Sequence, residues 1–226
     1  MTPTAPVASP SAAPMPPAPG GSSALGQWLA VERNRYLALG GSLLVILAVA
    51  ALVVWGGKRK QEFAMRALDE ARGSAEAGNL PLAASQLQRV ITAYGGTDAA
   101  AEATMALNQV RLVNQQSELA VNGLREFIKT NPAPKYLAPS QAMLGTALEN
   151  TRKPAEAGTA FLAAASAADL PMLKADYLLE AGRALTNAGK KDDAIKAYRQ
   201  ITTQYKDQPA GTEALVRLAE LTGGKL

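Results

Sequence analysis

The carboxylates are the side chains in this sequence with the clearest capacity for chemistry. Adjacent acids occur at Asp69–Glu70 and Asp192–Asp193, and Glu62 stands alone. General acid–base catalysis would require two of them to converge in a pocket. They fall instead at predicted helix starts and exposed turns, where negative charge interacts favourably with the helix dipole. We therefore interpret them as structural and expect no catalytic residue, with a carboxylate enzyme as the minor alternative.

Two residue types that carry much of protein chemistry are missing. The chain has no cysteine and no histidine, which excludes thiol nucleophiles, disulfides, thiolate metal sites, imidazole bases and imidazole ligands. Lysine and serine chemistry stays open, but no P-loop, G-x-S-x-G, H-E-x-x-H or EF-hand pattern occurs. The sequence therefore predicts a protein without a metal or another cofactor.

The composition favours packed helices. Hydrophobic residues make up 48% of the 226 residues, with only three Phe and two Trp, so most apolar volume comes from Ala and Leu. This suits helices better than a sheet, where β-branched and aromatic residues are enriched. The net charge of +4 is small for this length. Nucleic-acid binding usually needs a clustered basic face, so we expect no nucleic-acid partner.

The first 23 residues are predicted to form a tail. Residues 1–23 are rich in Pro, Ala and Ser and contain no charged side chain. Such a segment buries too little apolar surface to offset the entropy of ordering, which predicts disorder. The alternative is a ligand for a proline-binding module, through Pro14, Pro16, Pro17 and Pro19.

An uncharged apolar stretch follows within residues 24–57. Residues 37–55, LALGGSLLVILAVAALVVW, carry no charge. At about 1.5 Å per helical residue this length is close to the hydrocarbon thickness of a bilayer. Interfacial aromatic and basic residues flank it, namely Trp28, Arg33, Arg35, Tyr36, Lys58, Arg59 and Lys60. The sequence predicts a juxtamembrane segment and one transmembrane helix that contacts lipid through residues 37–55.

Residues 61–226 contain an internal repeat of 37 residues. Four alanines mark its register, Ala83, Ala120, Ala157 and Ala194. Four residues after each comes a bulky apolar side chain, at Leu87, Leu124, Phe161 and Tyr198, and twelve residues before each stand Ala71, Asn108, Gly145 and Gly182. Small residues at this spacing let two antiparallel helices approach closely, and the bulky residue fills the groove between neighbouring pairs.

Helix start signals keep the same register. Second helices are predicted to begin near Pro81, Ser117, Pro154 and Asp192, and first helices of later units near Thr97, Pro139 and Pro171. Gly78 and Gly189 supply tight turns between helices. A last helix should cover the exposed end of the array with Leu215 and Leu218.

This pattern resembles the tetratricopeptide repeat. Gly145 and Gly182 match its small position 8, the four alanines match position 20, Phe161 and Tyr198 match the aromatic at 24, and Pro132 falls near 32. Asn108 and Ala71 depart from the signature. The period exceeds the usual 34, so about three extra residues are expected between hairpins. The resemblance implies an all-α superhelix of about four hairpins plus a capping helix.

The resemblance also implies a binding groove on the first helices, at positions 2, 5, 9 and 12 of each repeat. These positions hold Met65, Leu68, Arg72 and Ala75; Glu102, Met105, Gln109 and Leu112; Ala142, Thr146 and Glu149; and Asp176, Leu179, Arg183 and Thr186. Proteins or peptide segments are the partners that such a groove implies. Nothing in the pattern indicates an oligomeric state.

The order of tail, single span and repeats resembles the YfgM-type ancillary subunit of the SecYEG translocon. The resemblance implies a bacterial inner-membrane protein with an extracytoplasmic repeat domain that contacts the translocon or periplasmic chaperones. The positive-inside rule favours the opposite orientation, because two basic residues precede the span while Lys58, Arg59, Lys60 and Arg66 follow it. We expect the extracytoplasmic orientation, and the alternative is a cytoplasm-facing adaptor in division or signalling.

Overall fold

The computed structural model describes residues 32–224, except for several side chains near the start of the first helix. Contacts divide the chain into two units, with the boundary between Trp55 and Gly56, and each unit is described by itself. The predicted tail over residues 1–23 and the segment 24–31 lie outside the described residues.

Within the described residues the chain is all helical. It forms nine α-helices and no strand: α1 Glu32–Glu76, α2 Leu80–Ala93, α3 Asp98–Val113, α4 Ser117–Lys129, α5 Pro134–Asn150, α6 Pro154–Ala167, α7 Pro171–Asn187, α8 Lys191–Gln204 and α9 Ala210–Thr222. Second helices begin within one residue of the predicted positions. Proline at the first turn of α2, α5, α6 and α7 has no backbone N–H to leave unpaired there.

In the unit from Gly56 onward the helices stack as successive hairpins. Each helix from α2 to α9 contacts the next, and first helices of neighbouring hairpins also touch, α3 with α5 and α7 with α9. Three apolar clusters along the stack form the core. This arrangement places α1, α3, α5, α7 and α9 in one layer and the second helices in the other.

The turn inside each hairpin repeats with the same backbone conformation. Gly78, Gln115, Arg152 and Gly189 stand 37 residues apart, and all four have positive φ, at 79°, 58°, 59° and 72°. The two glycines were predicted from sequence. A side chain disfavours this left-handed conformation, so the middle hairpins adopt it at a local cost that their helix packing offsets.

Two predictions about the links between hairpins are wrong. Helix α5 begins at Pro134 and not near Pro139, which lies inside the helix. The links contain only three to five residues, so the extra residues of the long period are not there. They lengthen the first helices, since α3, α5 and α7 have 16, 17 and 17 residues while second helices have 13 or 14.

Helix α9 covers the last hairpin with Leu218, as predicted, but not with Leu215. Leu218 is buried in the cluster with Tyr198 and Ile201, but Leu215 is 45% exposed. Gly211 lies so close to the preceding chain that an added Cβ would overlap the carbonyl oxygen of Lys206. The contact of α9 with the array therefore depends on Ala214, Leu218 and this glycine.

In the unit that ends at Trp55, α1 carries apolar side chains on its surface. The large apolar residues of Leu43–Trp55 with described side chains are each more than half exposed. Among the residues with described side chains, no helix has an apolar stretch long enough to cross a membrane. The side chains at positions 37–40, 42 and 53 are outside that set, so the predicted span stays a prediction.

Candidate protein-binding groove

The residues predicted to pack the repeats form the core that positions the groove. All eight are buried, namely Ala83, Ala120, Gly145, Ala157, Phe161, Gly182, Ala194 and Tyr198. An added Cβ on Gly145 would lie 2.8 Å from the Phe161 ring. At Gly182 the ring of Tyr198 is still closer to that position. The glycine therefore accommodates the aromatic ring that follows sixteen residues later on the facing helix.

Asn108 fits at a buried position that usually holds a small residue, because the residue facing it is a glycine. Its side chain is 1% exposed, and its amide nitrogen donates to the carbonyl oxygen of Thr104 at 2.8 Å. Gly123 faces it, and a Cβ there would lie 2.5 Å from the Asn108 side-chain oxygen. The departure from the repeat signature is thus compensated on the facing helix.

The predicted groove residues lie on the layer of first helices. Fourteen of the fifteen predicted positions keep solvent-accessible surface: Met65, Arg72, Ala75, Glu102, Met105, Gln109, Leu112, Ala142, Thr146, Glu149, Asp176, Leu179, Arg183 and Thr186. Leu68 is the exception and corrects the prediction. It is fully buried in the apolar cluster with Leu87 and Leu107, so it belongs to the core of the first hairpin.

Four of the predicted groove positions meet in a hollow at the centre of the layer. Gln109, Leu112, Ala142 and Thr146 line a cavity of about 470 Å³ together with Val113, Pro139, Met143 and Tyr177. These additional side chains were not predicted as groove residues. Tyr177 lies one position beyond Asp176, the predicted groove residue, so counting by the fixed register alone could not find it. No charged side chain lines the hollow.

Three clusters of charged side chains on the first helices have the same form. In each, one arginine lies between two carboxylates. Arg72 contacts Asp69 at 3.9 Å and Glu102 at 2.7 Å. Arg183 contacts Glu149 at 2.8 Å and also Glu180, and Arg217 contacts Glu220 at 3.3 Å and Glu213 at 3.5 Å. The predicted charged groove residues Arg72, Glu102, Glu149 and Arg183 are therefore already paired.

The cluster around Arg217 was not predicted from the repeat alignment. Continuing the 37-residue register past Gly182 assigns Glu213, Val216 and Glu220 of α9 to positions 2, 5 and 9. Val216 is 52% exposed, as a groove residue should be. A smaller cavity of about 240 Å³, lined by Arg183, Thr186, Arg217 and Glu220 among others, joins α7 to α9. The groove therefore extends onto the helix that was predicted only as a cap.

The pairing of these arginines is reflected in their pKa values. Burial lowers the pKa of Arg183, but hydrogen bonds to Glu180 and Glu149 outweigh it and raise that pKa overall. The hydrogen bond to Glu220 raises the pKa of Arg217. Burial raises the pKa of Tyr177, and the charge of Asp176 adds to the rise. Both arginines are therefore fully charged, and Tyr177 is a neutral hydroxyl near pH 7.

The described part of the chain offers no metal centre. Within residues 32–224, no three Asp or Glu side chains converge in a way that could hold a metal ion. The groove is an open surface lined by apolar side chains, hydroxyls and paired charges. What it can do chemically is bind another chain by burying apolar side chains and exchanging hydrogen bonds.

No protein-family model matches the sequence, and no curated protein matches it. Solved structures do match its fold. A Podosopora anserina putative kinesin light chain with nearly identical TPR-like repeats is 16% identical over 71% of this chain and 85% of its own, with a TM-score of 0.55. The MamA protein is 19% identical over 73% and 83%, with a TM-score of 0.56.

A third match is YrrB, described as a TPR protein with an unusual peptide-binding site. It is 17% identical over 72% of this chain and 88% of its own, with a TM-score of 0.50. At identities this low, the matches show the fold alone. The chain has a tetratricopeptide-like repeat fold, as the repeat pattern predicted.

Proposed function

We propose that this protein is a membrane-anchored scaffold that binds segments of other proteins in the groove of its first helices. The observation that carries the proposal is the uncharged hollow of about 470 Å³. Leu112 and Met143, half-buried there, pack against the core cluster and still line this open surface. Apolar side chains at the centre of a groove provide most of the binding free energy when a partner covers them.

A photo-reactive amino acid at Thr146 tests the groove directly. Thr146 is exposed in the hollow, and its hydroxyl donates to a carbonyl of its own helix. Thr203 of α8 is a matched control, because it is also exposed and makes the same kind of bond on the other layer. In cells expressing the full-length chain, we expect crosslinked partners from position 146 and few from 203. Equal yields from both positions would contradict a binding groove.

The exposed apolar surface of α1 supports the membrane anchor. Nine large apolar side chains between Leu43 and Trp55 are each 54% to 69% exposed. Such a surface is costly in water and favourable in a bilayer. Basic residues follow it at Lys58, Arg59 and Lys60, where lipid headgroups would interact with them.

The proposed location is a bacterial inner membrane, with the repeats outside the cytoplasm and in contact with the translocon or periplasmic chaperones. The support for this location is the order of the predicted tail, the predicted span and the repeats along the sequence. If the partners crosslinked to position 146 were all cytosolic, this part of the proposal would be wrong even though the groove itself was confirmed.

Single cysteines decide the orientation, because the chain has none of its own. Ser22→Cys reports on the tail, and Thr212→Cys reports on an exposed site in α9. In spheroplasts, a membrane-impermeant maleimide is expected to label position 212 at once and position 22 only after lysis. The reverse pattern would support the cytoplasm-facing adaptor, which the excess of basic residues after the span favours.

A further inference from the structure

We propose that the groove selects segments in which apolar side chains are flanked by lysine or arginine. This inference rests on the proposed function and adds the chemistry of the partner. The binding site is the uncharged hollow, and the charges around it determine which flanks a bound segment can carry.

Each of the three charged clusters has a net charge of −1. Arg72, Arg183 and Arg217 each contact two carboxylates, so one negative charge per cluster is left uncompensated. Asp176, beside Tyr177 of the hollow, adds another. Together these three positive and seven negative side chains have a net charge of −4, whereas the whole chain has a net charge of +4. These ten charged side chains of the first helices are therefore negative in sum on a protein that is positive overall.

The clusters are arranged on both sides of the hollow. The one around Arg72 joins α1 to α3, and the hollow is lined by α3, α5 and α7. The clusters around Arg183 and Arg217 follow, on α5, α7 and α9. A segment that places its apolar side chains in the hollow would therefore extend toward negative charge in both directions.

The excess carboxylates are accessible to a partner. The side chains of Glu180 and Glu220 are 43% and 57% exposed, so a lysine or arginine can reach them without separating the helices. An acidic segment would meet net repulsion and would have to displace a carboxylate from each arginine. Charge complementarity of this kind acts mainly on specificity and on the association rate.

Three peptides test the proposal. They share one central set of Leu, Val and Ala residues and differ only at four flanking positions, which are all Lys, all Gln or all Glu. Fluorescence anisotropy measures their binding to the full-length chain in a non-ionic detergent. We expect the Lys peptide to bind about tenfold more tightly than the Gln peptide and the Glu peptide most weakly, with a preference that shrinks as salt screens the charges.

A matched pair of variants assigns the preference to the groove. Glu180→Gln with Glu220→Gln removes two of the groove's negative charges, and Glu126→Gln with Asp207→Asn removes two at exposed sites on α4 and in the α8–α9 link. The groove variant should lose about fivefold in affinity for the Lys peptide and none for the Gln peptide, because exposed charges each contribute modestly. The control should match the parent, and circular dichroism should show both variants folded.

The outcomes separate the inference from the function on which it rests. Equal binding of the three peptides, a preference for the Glu peptide, or the same loss in both variants would overturn the inference. Failure of all three peptides to bind would also overturn it. The crosslink from Thr146 decides the proposed function independently, because it requires no assumption about charge.

Discussion

Replacing Gly182 with valine is expected to lower the free energy of unfolding by about 3 kcal/mol, among the larger costs of a single substitution. A Cβ at this position would lie 2.5 Å from Cζ of the Tyr198 ring, closer than side-chain atoms approach one another in real structures. The ring is only 2% exposed and is held in the cluster with Leu178 and Ile201. Because this packing fixes the ring against α7, we expect the two helices of the last hairpin to separate.

Gly73 provides a matched control for this substitution. It also lies inside a helix, but nothing stands within 4 Å of the position that a Cβ would take. Gly73→Val should change stability by no more than about 0.5 kcal/mol, since valine has the better helix propensity. Urea titrations of the full-length chain, followed by circular dichroism at about 222 nm, the helix band, measure both variants. Equal losses would show that close packing at Gly182 is not what holds the hairpin.

Removing the ring should rescue the valine variant in part. Tyr198→Leu alone loses packing, but combined with Gly182→Val it relieves the overlap. We expect the double variant to be at least about 1 kcal/mol more stable than the sum of the two single losses predicts, as for residues in direct contact. Strict additivity would contradict the contact. Arg183 and Thr186 share the helix of Gly182, so the unrescued variant should also lose groove binding.

The constant register of the repeat predicted most of the fold. Alanines, bulky residues and the starts of the second helices recur every 37 residues, and the turns inside the hairpins recur with them. Position within the repeat, more than residue type, decides the backbone, as Gln115 and Arg152 show by adopting the glycine conformation of Gly78 and Gly189. A periodic signal of this kind averages over many weak local preferences, which makes it more reliable than any single residue.

Predictions from the register were wrong at individual positions where tertiary packing had the larger effect. Leu68 has the position of a groove residue but packs with Leu87 and Leu107, because a leucine gains more from burial in the first hairpin than from exposure. Pro139 suggested a helix start, but a proline in the second turn removes only one helix hydrogen bond. The favourable start at Pro134 and the packing of α5 outweigh that loss.

The positions of the groove residues could be predicted from the register, but the ion pairs among them could not. The register placed Gln109, Leu112 and Thr146 together, and the structure brings them to one hollow. It could not show that Arg72 would pair with Glu102, or Arg183 with Glu149, since these pairs join residues of different repeats. Such contacts depend on how one hairpin stacks on the next, and the sequence of a single repeat does not encode that.

Substitutions at the Asn108–Gly123 contact should show that the two facing helices of a hairpin compensate for each other in side-chain volume. Arg111 donates to the side-chain oxygen of Asn108 at 3.1 Å and to the carbonyl oxygen of Leu119 at 3.3 Å. Arg111 is half-buried, and burial lowers its pKa. A half-buried donor that loses its partner costs free energy. Gly123→Ala would place a methyl group 2.5 Å from the Asn108 side-chain oxygen and 2.6 Å from an Arg111 nitrogen. We expect a loss of about 2 kcal/mol in stability.

Asn108→Ala should cost a similar amount for a different reason. It leaves a cavity and removes one partner of the half-buried Arg111, and each effect is worth about 1 kcal/mol. The double variant should be no less stable than Asn108→Ala alone. The new methyl group at position 123 fills the volume that the asparagine vacated, and Arg111, no longer bonded to Asn108, can move away from it. The third and fourth hairpins already have this arrangement, with Gly145 and Gly182 on the first helix and alanine at 160 and 197.

Urea titrations of the parent, the two single variants and the double variant complete this cycle. A coupling of about 2 kcal/mol in favour of the double variant would show that position 123 on the second helix compensates for position 108 on the first. Additive losses would mean that Asn108 is tolerated for some other reason, and that Gly123 is a glycine by coincidence. The cycle thus tests whether each hairpin maintains a fixed volume between its helices, while the choice of which helix supplies the side chain is free.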